Sequence, residues 1–312
     1  MDRVDLVAAS AFYPPVMEAL TAAYAVHPLY QATDRAAFLT PLKDKVRGIA
    51  TFTSRVDAGL MDALPRLEIV ASMSIGLDHI DLAAAKARGI RVTNTPGVLT
   101  DDVADLAIGL MVAVSRRLVV ADRYVRDGSW LKGPMPLERK LSGTTLGVLG
   151  MGRIGQAIAK RAAAMNMTTV YHGPRRKPEL SYRFYPDLAV MAADVDYLVI
   201  AVPGGPATQH LVDARIIAAL APKGAIINIA RGSVVDQAAL IEALTERKLA
   251  GAGLDVFEEE PRVPEALTRL DSVVLTPHIG SATHGTRLAM GRLMLDNLAA
   301  HFAGKPLPAP AV

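Results

Sequence analysis

Three residues in the second half of the chain have side chains suited to reducing a carbonyl group. Arg231 closes the apolar run Ile226-Ile-Asn-Ile-Ala-Arg-Gly232, Glu260 lies in the acidic turn after Gly253-Leu-Asp-Val-Phe257, and His278 follows Val273-Val-Leu-Thr-Pro277. A carbonyl that accepts a hydride must be held, polarised, and given a proton as its oxygen becomes an alkoxide. A guanidinium clamps a carboxylate through two parallel hydrogen bonds. Histidine is the natural proton donor near neutral pH. A neighbouring carboxylate orients the ring and favours its charged form. The expected roles are Arg231 for binding and polarisation, His278 as general acid, and Glu260 as its partner. A lone arginine or glutamate at a strand end reads more simply as a surface residue, and only the three together point to this chemistry. The remaining histidines carry no such motif. His27, His172, His210, His284 and His301 read as structural or solvated, and His79 is expected near the start of a helix over Leu82–Arg88.

A source of hydride is written earlier in the chain. Thr145-Leu-Gly-Val-Leu-Gly150-Met-Gly152-Arg-Ile-Gly155 contains G-x-G-x-x-G between a strand and the helical run that starts at Gln156. A second strand, Thr168–His172, follows where a βαβ unit requires one. Such glycines permit a tight turn and close backbone approach to a pyrophosphate at a helix N-terminus. The end of the second strand selects the dinucleotide. An NAD site usually places a carboxylate there for the ribose 2′-hydroxyl. Here the chain reads Tyr171-His-Gly-Pro-Arg175-Arg176-Lys177-Pro, with no carboxylate before Glu179. A carboxylate would repel a 2′-phosphate, whereas a guanidinium holds one. NADPH is therefore expected over NADH, with Arg175 and Arg176 as the phosphate ligands.

These residues need a scaffold of alternating strands and helices. Further strands are expected at Val4–Ala8, Gly48–Phe52, Ile69–Met73, Ile90–Asn94, Tyr197–Val202, Ala225–Ala230, Gly253–Val256 and Val273–Leu275. Helices are expected over Pro15–Val26, Leu82–Arg88, Asp102–Arg126, Gly152–Ala164, Ala214–Leu220, Gln237–Arg247 and Thr286–Phe302. Alternation implies α/β architecture with parallel sheets, and there are too many strands for one sheet. The expected fold is two Rossmann-like or flavodoxin-like doubly wound domains with an interdomain cleft. Residues 1–97 with 285–312 would form a substrate-binding domain, and residues 98–284 an NAD(P)-binding domain. The divider is the long helix, capped by Thr100 or Asp101.

Composition narrows the class. The chain has 312 residues, 51% hydrophobic and 21% charged, which suits folded globular domains. A formal net charge of +3 is too small to argue for nucleic acid. The absence of cysteine removes disulfides, thiolate metal sites and a thiol nucleophile, and fits a reducing compartment. No metal is expected. No signal peptide and no membrane-spanning stretch is read, since the most apolar helix is interrupted by Asp105, Arg116 and Arg117. A cytoplasmic location follows as an expectation.

Over nearly its whole length the chain closely resembles the D-isomer-specific 2-hydroxyacid dehydrogenase family. The matching motifs are Ser72-Met-Ser-Ile-Gly-Leu-Asp78, Asn94-Thr-Pro-Gly97, Thr100-Asp-Asp-Val-Ala-Asp105, Gly150–Gly155, Ala230-Arg-Gly232, Leu254-Asp-Val-Phe257, Glu260-Pro261 and Pro277-His-Ile-Gly280. The basic loop and Val202-Pro-Gly-Gly-Pro206 make it most similar to the NADPH-dependent glyoxylate/hydroxypyruvate reductases and their hydroxyphenylpyruvate-reducing relatives. The resemblance implies reduction of a small 2-oxo acid to a D-2-hydroxy acid by Arg231, Glu260 and His278. It implies that the amides of Ile75 and Gly76, with Arg231 and His278, bind the substrate. It implies cofactor contacts from Gly150, Met151, Gly152, Arg153, Ile154, Gly155, Gly173, Pro174, Arg175, Arg176, Val202, Pro203, Ile229, Ala230, Asp255 and Gly280. A homodimer built on the cofactor domains is also implied. Trp130 would then either reach the partner's active site or pack at the dimer contact. Two alternatives stay open. One is an NAD-dependent dehydrogenase of another D-2-hydroxy acid. The other is a dinucleotide-sensing corepressor, which the lack of an appended domain disfavours.

Overall fold

The expected strands assemble into two separate parallel sheets. The computed structural model describes residues 3–220 and 222–312. Its contacts divide the chain into two compact units, Met1–Leu99 with Ala282–Val312, and Thr100–Ser281.

The first unit holds β1 (Asp5–Ala8), β2 (Ala25–Pro28), β3 (Gly48–Thr51), β4 (Ile69–Ser72) and β5 (Arg91–Thr93), ordered β2-β1-β3-β4-β5 with every pair parallel. This order reverses direction between β1 and β3, the switch point of a doubly wound sheet. Its helices are α1 (Pro14–Ala23), α2 (Arg35–Leu39), α3 (Ala58–Asp62) and α4 (Leu82–Ala87). The short ones start where an aspartate caps them. Asp34, Asp57 and Asp81 each accept a hydrogen bond from the amide three residues on. All residues of β3 and β4 are buried. Because side chains alternate between faces, both faces of these strands must be covered.

The second unit opens with α5 (Thr100–Ser115) and α6 (Leu118–Arg126). Its strands are β6 (Thr145–Leu149), β7 (Thr168–His172), β8 (Arg183–Tyr185), β9 (Tyr197–Ile200), β10 (Ala225–Asn228), β11 (Gly251–Leu254) and β12 (Val273–Leu275). They are ordered β12-β11-β10-β9-β6-β7-β8, again all parallel. The helices between them are α7 (Arg153–Ala164), α8 (Leu188–Ala193), α9 (Ala214–Leu220), α10 (Gln237–Thr245) and α11 (Glu265–Thr268). The switch point lies between β6 and β9. The chain then returns to the first unit through α12 (His284–Phe302).

Three expectations change. The single helix over Asp102–Arg126 is broken at Arg117, whose φ is +47°. α5 buries Val103, Ala104, Ala107, Leu110, Met111 and Ser115, whereas no residue of α6 is buried. The break marks where the helix stops covering the sheet. Neither proposed residue caps α5 from outside: Thr100 and Asp101 are its first two residues, and the Thr100 hydroxyl has no hydrogen-bond partner. The helix expected to reach Val26 stops at Ala23, because Ala25–Pro28 is drawn into the sheet edge beside β1.

Candidate active site

The crevice at the second switch point is built from glycine. β6 ends at Leu149, and Gly150 turns the chain with φ +99°, a conformation costly for any residue with a Cβ. A Cβ there would lie 2.7 Å from the Ala201 carbonyl oxygen, just past β9. A Cβ on Gly155, in the first turn of α7, would lie 2.2 Å from the Gly150 carbonyl oxygen. The turn therefore presses the helix N-terminus against the sheet edge, while Gly152 faces open space. The first amides of α7 have no intrahelical acceptors and favour an anion. This cradle fits a dinucleotide pyrophosphate.

Next to it lies the basic loop. The Gly150 amide donates to the His172 carbonyl at 2.9 Å, joining the end of β7 to the glycine turn. The Tyr171 hydroxyl accepts from the Lys177 amide at 2.8 Å and closes the loop. Pro174, Arg175 and Arg176 are exposed, and the two arginines have no ion-pair partner among the described residues. These side chains are poised for an external anion. Met151, Ile229 and Ala230 are buried, whereas Arg153 and Pro203 are exposed and Ile154 and Val202 half-buried. Trp130 lies in a single 3-10 turn, Ser129–Lys132, and is 66% exposed.

The candidate catalytic residues hang from the ends of β10, β11 and β12. The buried side chain of Asn228, the last residue of β10, accepts from the Ala230 amide at 3.0 Å and donates to the Arg231 carbonyl at 2.9 Å. That clasp fixes the backbone carrying Arg231. A Cβ on Gly204 would collide with the Arg231 Cγ at 2.7 Å, so this glycine leaves room for the guanidinium stem. Glu260 folds back over its own turn and accepts from the Phe257 amide through Oε1 at 3.1 Å. Its Oε2 lies 2.7 Å from His278 Nδ1. A carboxylate can only accept, so Nδ1 carries the proton and Nε2 is left for chemistry. Burial pushes the Glu260 carboxyl up. The hydrogen bond and charge of His278, the Phe257 amide and the charge of Arg231 outweigh this and hold it below its ordinary value.

Asp255 organises the loop that carries His278. It is 1% exposed and accepts from the Thr276 hydroxyl at 2.6 Å, the Ile279 amide at 2.8 Å and the Gly280 amide at 2.8 Å. Its carbonyl accepts from the His278 amide at 2.9 Å. His278 is thereby held at φ +53°, in the left-handed region that ordinary residues avoid. Burial drives the Asp255 carboxyl above its ordinary value, against the pull of those three donors and the charge of His278.

In the first unit, the loop after β4 forms a second donor site. The Ser74 carbonyl accepts from the Thr95 amide at 2.9 Å, and the Ile75 carbonyl accepts from Asn94 Nδ2 at 3.0 Å. In a trans peptide the N–H points opposite to the C=O. Tying down these two carbonyls therefore turns the Ile75 and Gly76 amides the other way, as a pair of anion-binding donors. The other histidines have structural partners. His27 pairs with Asp5, His210 with Glu258, His284 with Tyr13 and His301 with Glu68, and His172 meets the Tyr185 carbonyl. His79 precedes α4, which Asp81 caps. No cluster able to hold a metal occurs among the described residues.

Residues 108–280 match the family model for the D-isomer specific 2-hydroxyacid dehydrogenase NAD binding domain. The chain belongs to the D-2-hydroxyacid dehydrogenase family. It is 50% identical over 284 residues to a glyoxylate/hydroxypyruvate reductase A of Arabidopsis thaliana, covering 91% of each chain. It is also 50% identical over 276 residues to the hydroxyphenylpyruvate reductase of Plectranthus scutellarioides, covering 88% of each. Among solved structures it resembles the NADPH-dependent glyoxylate/hydroxypyruvate reductase of Sinorhizobium meliloti, crystallised with NADP and malonate. The TM-score is 0.95 at 43% identity, over 100% of this chain and 97% of that one. The sequence pattern points to candidate residues for the chemistry but not to every residue that holds their loops. Asn228 and Thr276 were missed, although each is a polar residue within or just beyond an apolar strand, a readable sign of a buried hydrogen-bonding task.

Proposed function

We propose that this dehydrogenase uses NADPH to reduce small 2-oxo acids, in the glyoxylate, hydroxypyruvate and phenylpyruvate class, to D-2-hydroxy acids. The observation that carries the reading is the 2.7 Å pair of His278 Nδ1 and Glu260 on the loop fixed by Asp255, in the same unit as the glycine cradle and the uncompensated Arg175 and Arg176. The names of the plant relatives support the substrate class, and the NADP-bound S. meliloti structure supports the cofactor. NADPH, when bound, supplies a hydride to the substrate's C2.

The chain's own residues do the rest. Gly150–Gly155 and the N-terminus of α7 hold the pyrophosphate, and Gly173–Arg176 accommodate the 2′-phosphate. Val202, Pro203, Ile229, Ala230 and Gly280 would line the remaining cofactor surface, and Asp255 would serve the carboxamide end. The Ile75 and Gly76 amides bind the substrate carboxylate. Arg231 draws electron density from the 2-oxo group. His278 Nε2 gives its proton to the alkoxide oxygen as the C–H bond forms, and Glu260 keeps the ring aimed. One proton and one hydride are consumed for each 2-hydroxy acid.

Initial rates with glyoxylate, hydroxypyruvate and phenylpyruvate, each with NADPH and NADH, test this. Turnover with marked NADPH preference is expected. Turnover with NADH alone would refute the 2′-phosphate assignment, and turnover of none would refute the reductase assignment.

The enzyme is further assigned as a homodimer. Leu118, Val119, Val125, Trp130, Leu131 and Leu137 are all exposed along one stretch of the cofactor-binding unit, which suits coverage by a second copy. Trp130 would then sit at the contact or in the partner's substrate pocket. Light scattering should give twice the monomer mass, and Leu131→Glu should lower it. No helix among the described residues is long and apolar enough to cross a membrane. We infer a cytoplasmic location, which fits the cysteine-free composition, and cell fractionation checks it.

A further inference from the structure

Arg287 has no task in the chemistry above, yet it is held firmly. It lies in the first turn of α12, which Thr283 caps and which the hydrogen bond of 2.8 Å between His284 Nδ1 and the Tyr13 hydroxyl fastens to the start of α1. Its guanidinium carbon stands 4.4 Å from the centroid of the Phe52 ring. Phe52 follows β3, and the β3–β4 register sets it beside Met73, two residues before Ile75. The Ser10 hydroxyl fixes that corner, accepting from the Phe52 and Ser54 amides at 2.9 and 3.1 Å. Arg287 therefore stands at the carboxyl edge of the five-stranded sheet, the edge that also carries the Ile75 and Gly76 amides.

Its chemistry there is incomplete. The Nη1 atom is buried and has no hydrogen-bond partner among the described residues. Burial lowers the guanidinium pKa, and no carboxylate among the described residues pairs with it. A guanidinium that only covered an aromatic ring would keep its donors in water, because a buried unpaired donor is costly. A methionine or leucine would pack on Phe52 without that cost. A half-buried arginine with one donor shut away from water and given no acceptor fits a site whose acceptor arrives with the ligand.

We infer that Arg287 is a specificity-determining residue that receives an oxygen acceptor on carbon 3 or beyond of the 2-oxo acid, a hydroxyl or a second carboxylate. This rests on the 2-oxo-acid reading given above. Glyoxylate has no such atom, and phenylpyruvate offers only an apolar ring. Hydroxypyruvate offers a hydroxyl and oxaloacetate a carboxylate. A charge-assisted hydrogen bond in a site shielded from water is worth roughly tenfold or more in binding.

The test compares kcat/KM for these four acids, with NADPH, in the unaltered enzyme, Arg287→Gln and Arg287→Lys. In Arg287→Gln the ratio of hydroxypyruvate to glyoxylate, or of oxaloacetate to glyoxylate, should fall about tenfold. The ratio of phenylpyruvate to glyoxylate should not fall. Arg287→Lys, which keeps the charge but loses the planar fork, should give an intermediate ratio. The larger loss tells whether the acceptor is a hydroxyl or a carboxylate. Because each readout is a ratio within one variant, a general loss of folding cancels. Equal losses for all four acids would make Arg287 a structural residue and overturn the inference. Turnover of none of them by the unaltered enzyme would overturn the reductase reading and this inference with it.

Discussion

The cofactor assignment makes its sharpest prediction at Gly173, the residue after β7. It stands where an NAD site places its carboxylate. Its φ lies outside the positive range, and a Cβ built on it meets no heavy atom within 4 Å. Gly173→Asp should therefore fold without steric cost, and its melting temperature should stay within about two degrees of the parent, a shift of under 1 kcal/mol for a domain of this size. The adjoining His172 carbonyl is hydrogen-bonded to Gly150 at 2.9 Å, so the new carboxylate would sit beside the glycine cradle. A 2′-phosphate carries about two negative charges. At a contact distance of ~4 Å and an effective dielectric constant of ~20, each charge pair is worth up to about 4 kcal/mol, and at the dielectric constant of water about 1 kcal/mol. The loop is exposed, so the lower figure governs, and two charges give about 2 kcal/mol against NADPH, or roughly thirtyfold. A carboxylate that accepts from a ribose hydroxyl adds about 1.5 kcal/mol for NADH, roughly tenfold. The ratio of kcat/KM for NADPH over NADH should thus fall by two to three orders of magnitude, about 3.5 kcal/mol by the same two principles. Initial rates at saturating hydroxypyruvate, with each cofactor varied, measure it. An unchanged ratio in a protein that melts normally would refute the argument that this position reads the 2′ substituent.

Three further outcomes are expected. His278→Gln removes the proton donor, and kcat should fall by about two to four orders of magnitude while NADPH binding, followed by fluorescence, is retained; turnover near the parent level would remove His278 from the mechanism. Gly155→Ala drives a methyl group into the Gly150 carbonyl, at 2.2 Å, and should cost about 1–3 kcal/mol of stability with a raised KM for NADPH; an unchanged melting curve and KM would contradict the cradle geometry. Glu68 makes two hydrogen bonds to Arg47, at 2.5 and 3.0 Å, and that bond first, aided by His301, lowers its carboxyl pKa. A depressed carboxyl stabilises the fold above its unfolded-state pKa, and the effect is lost as pH falls through the folded-state value. Both side chains are over a third exposed, so Glu68→Gln should cost only about 0.5–1 kcal/mol at pH 7. The difference from the parent in thermal melts should close below about pH 4, and a gap that persists there would assign the loss to packing.

Most of the fold was legible because buried parallel strands announce themselves as apolar runs. β6, β7 and β12 fall where the pattern places them. The expected strands at Tyr197–Val202 and Ala225–Ala230 overrun the sheet by two residues each, since β9 stops at Ile200 and β10 at Asn228. The apolar character continues because Ile229 and Ala230 are buried in the site instead of the sheet. Two edge strands, β2 and β8, were missed. Residues 25–28 are only half-buried, and β8 follows the basic loop with three residues, so neither shows a run to detect. The short helices α2, α3 and α8 span fewer than two turns, too few to show a periodicity, yet the aspartates that cap them, Asp34, Asp57 and Asp187, were readable signs. Arg287 was invisible for a different reason. Nothing in the residues around it tells that its guanidinium lies over the ring of Phe52, just past β3, with one donor unmet.

The same contrast explains how His278, the proposed proton donor, is positioned. His278 advertises itself through Pro277 and Gly280, but its placement depends on Asp255, which precedes it by a whole crossover. A parallel strand ends with its last carbonyls and amides unpaired, so the residues just past that end either find polar partners or face water. Asp255 takes three donors from the β12 loop through its side chain and a fourth through its carbonyl. Those bonds offset the cost of about 1–2 kcal/mol for holding His278 in a left-handed conformation. Asn228 does the same for Arg231 from the end of β10. Arg231 and His278, the proposed catalytic groups, are thus fixed by buried polar residues at the ends of adjacent strands of one sheet. A substitution at Asp255 or Asn228 would therefore loosen the chemistry before it unfolded the core, because each holds a loop beyond the sheet and neither supplies a ladder hydrogen bond through its side chain.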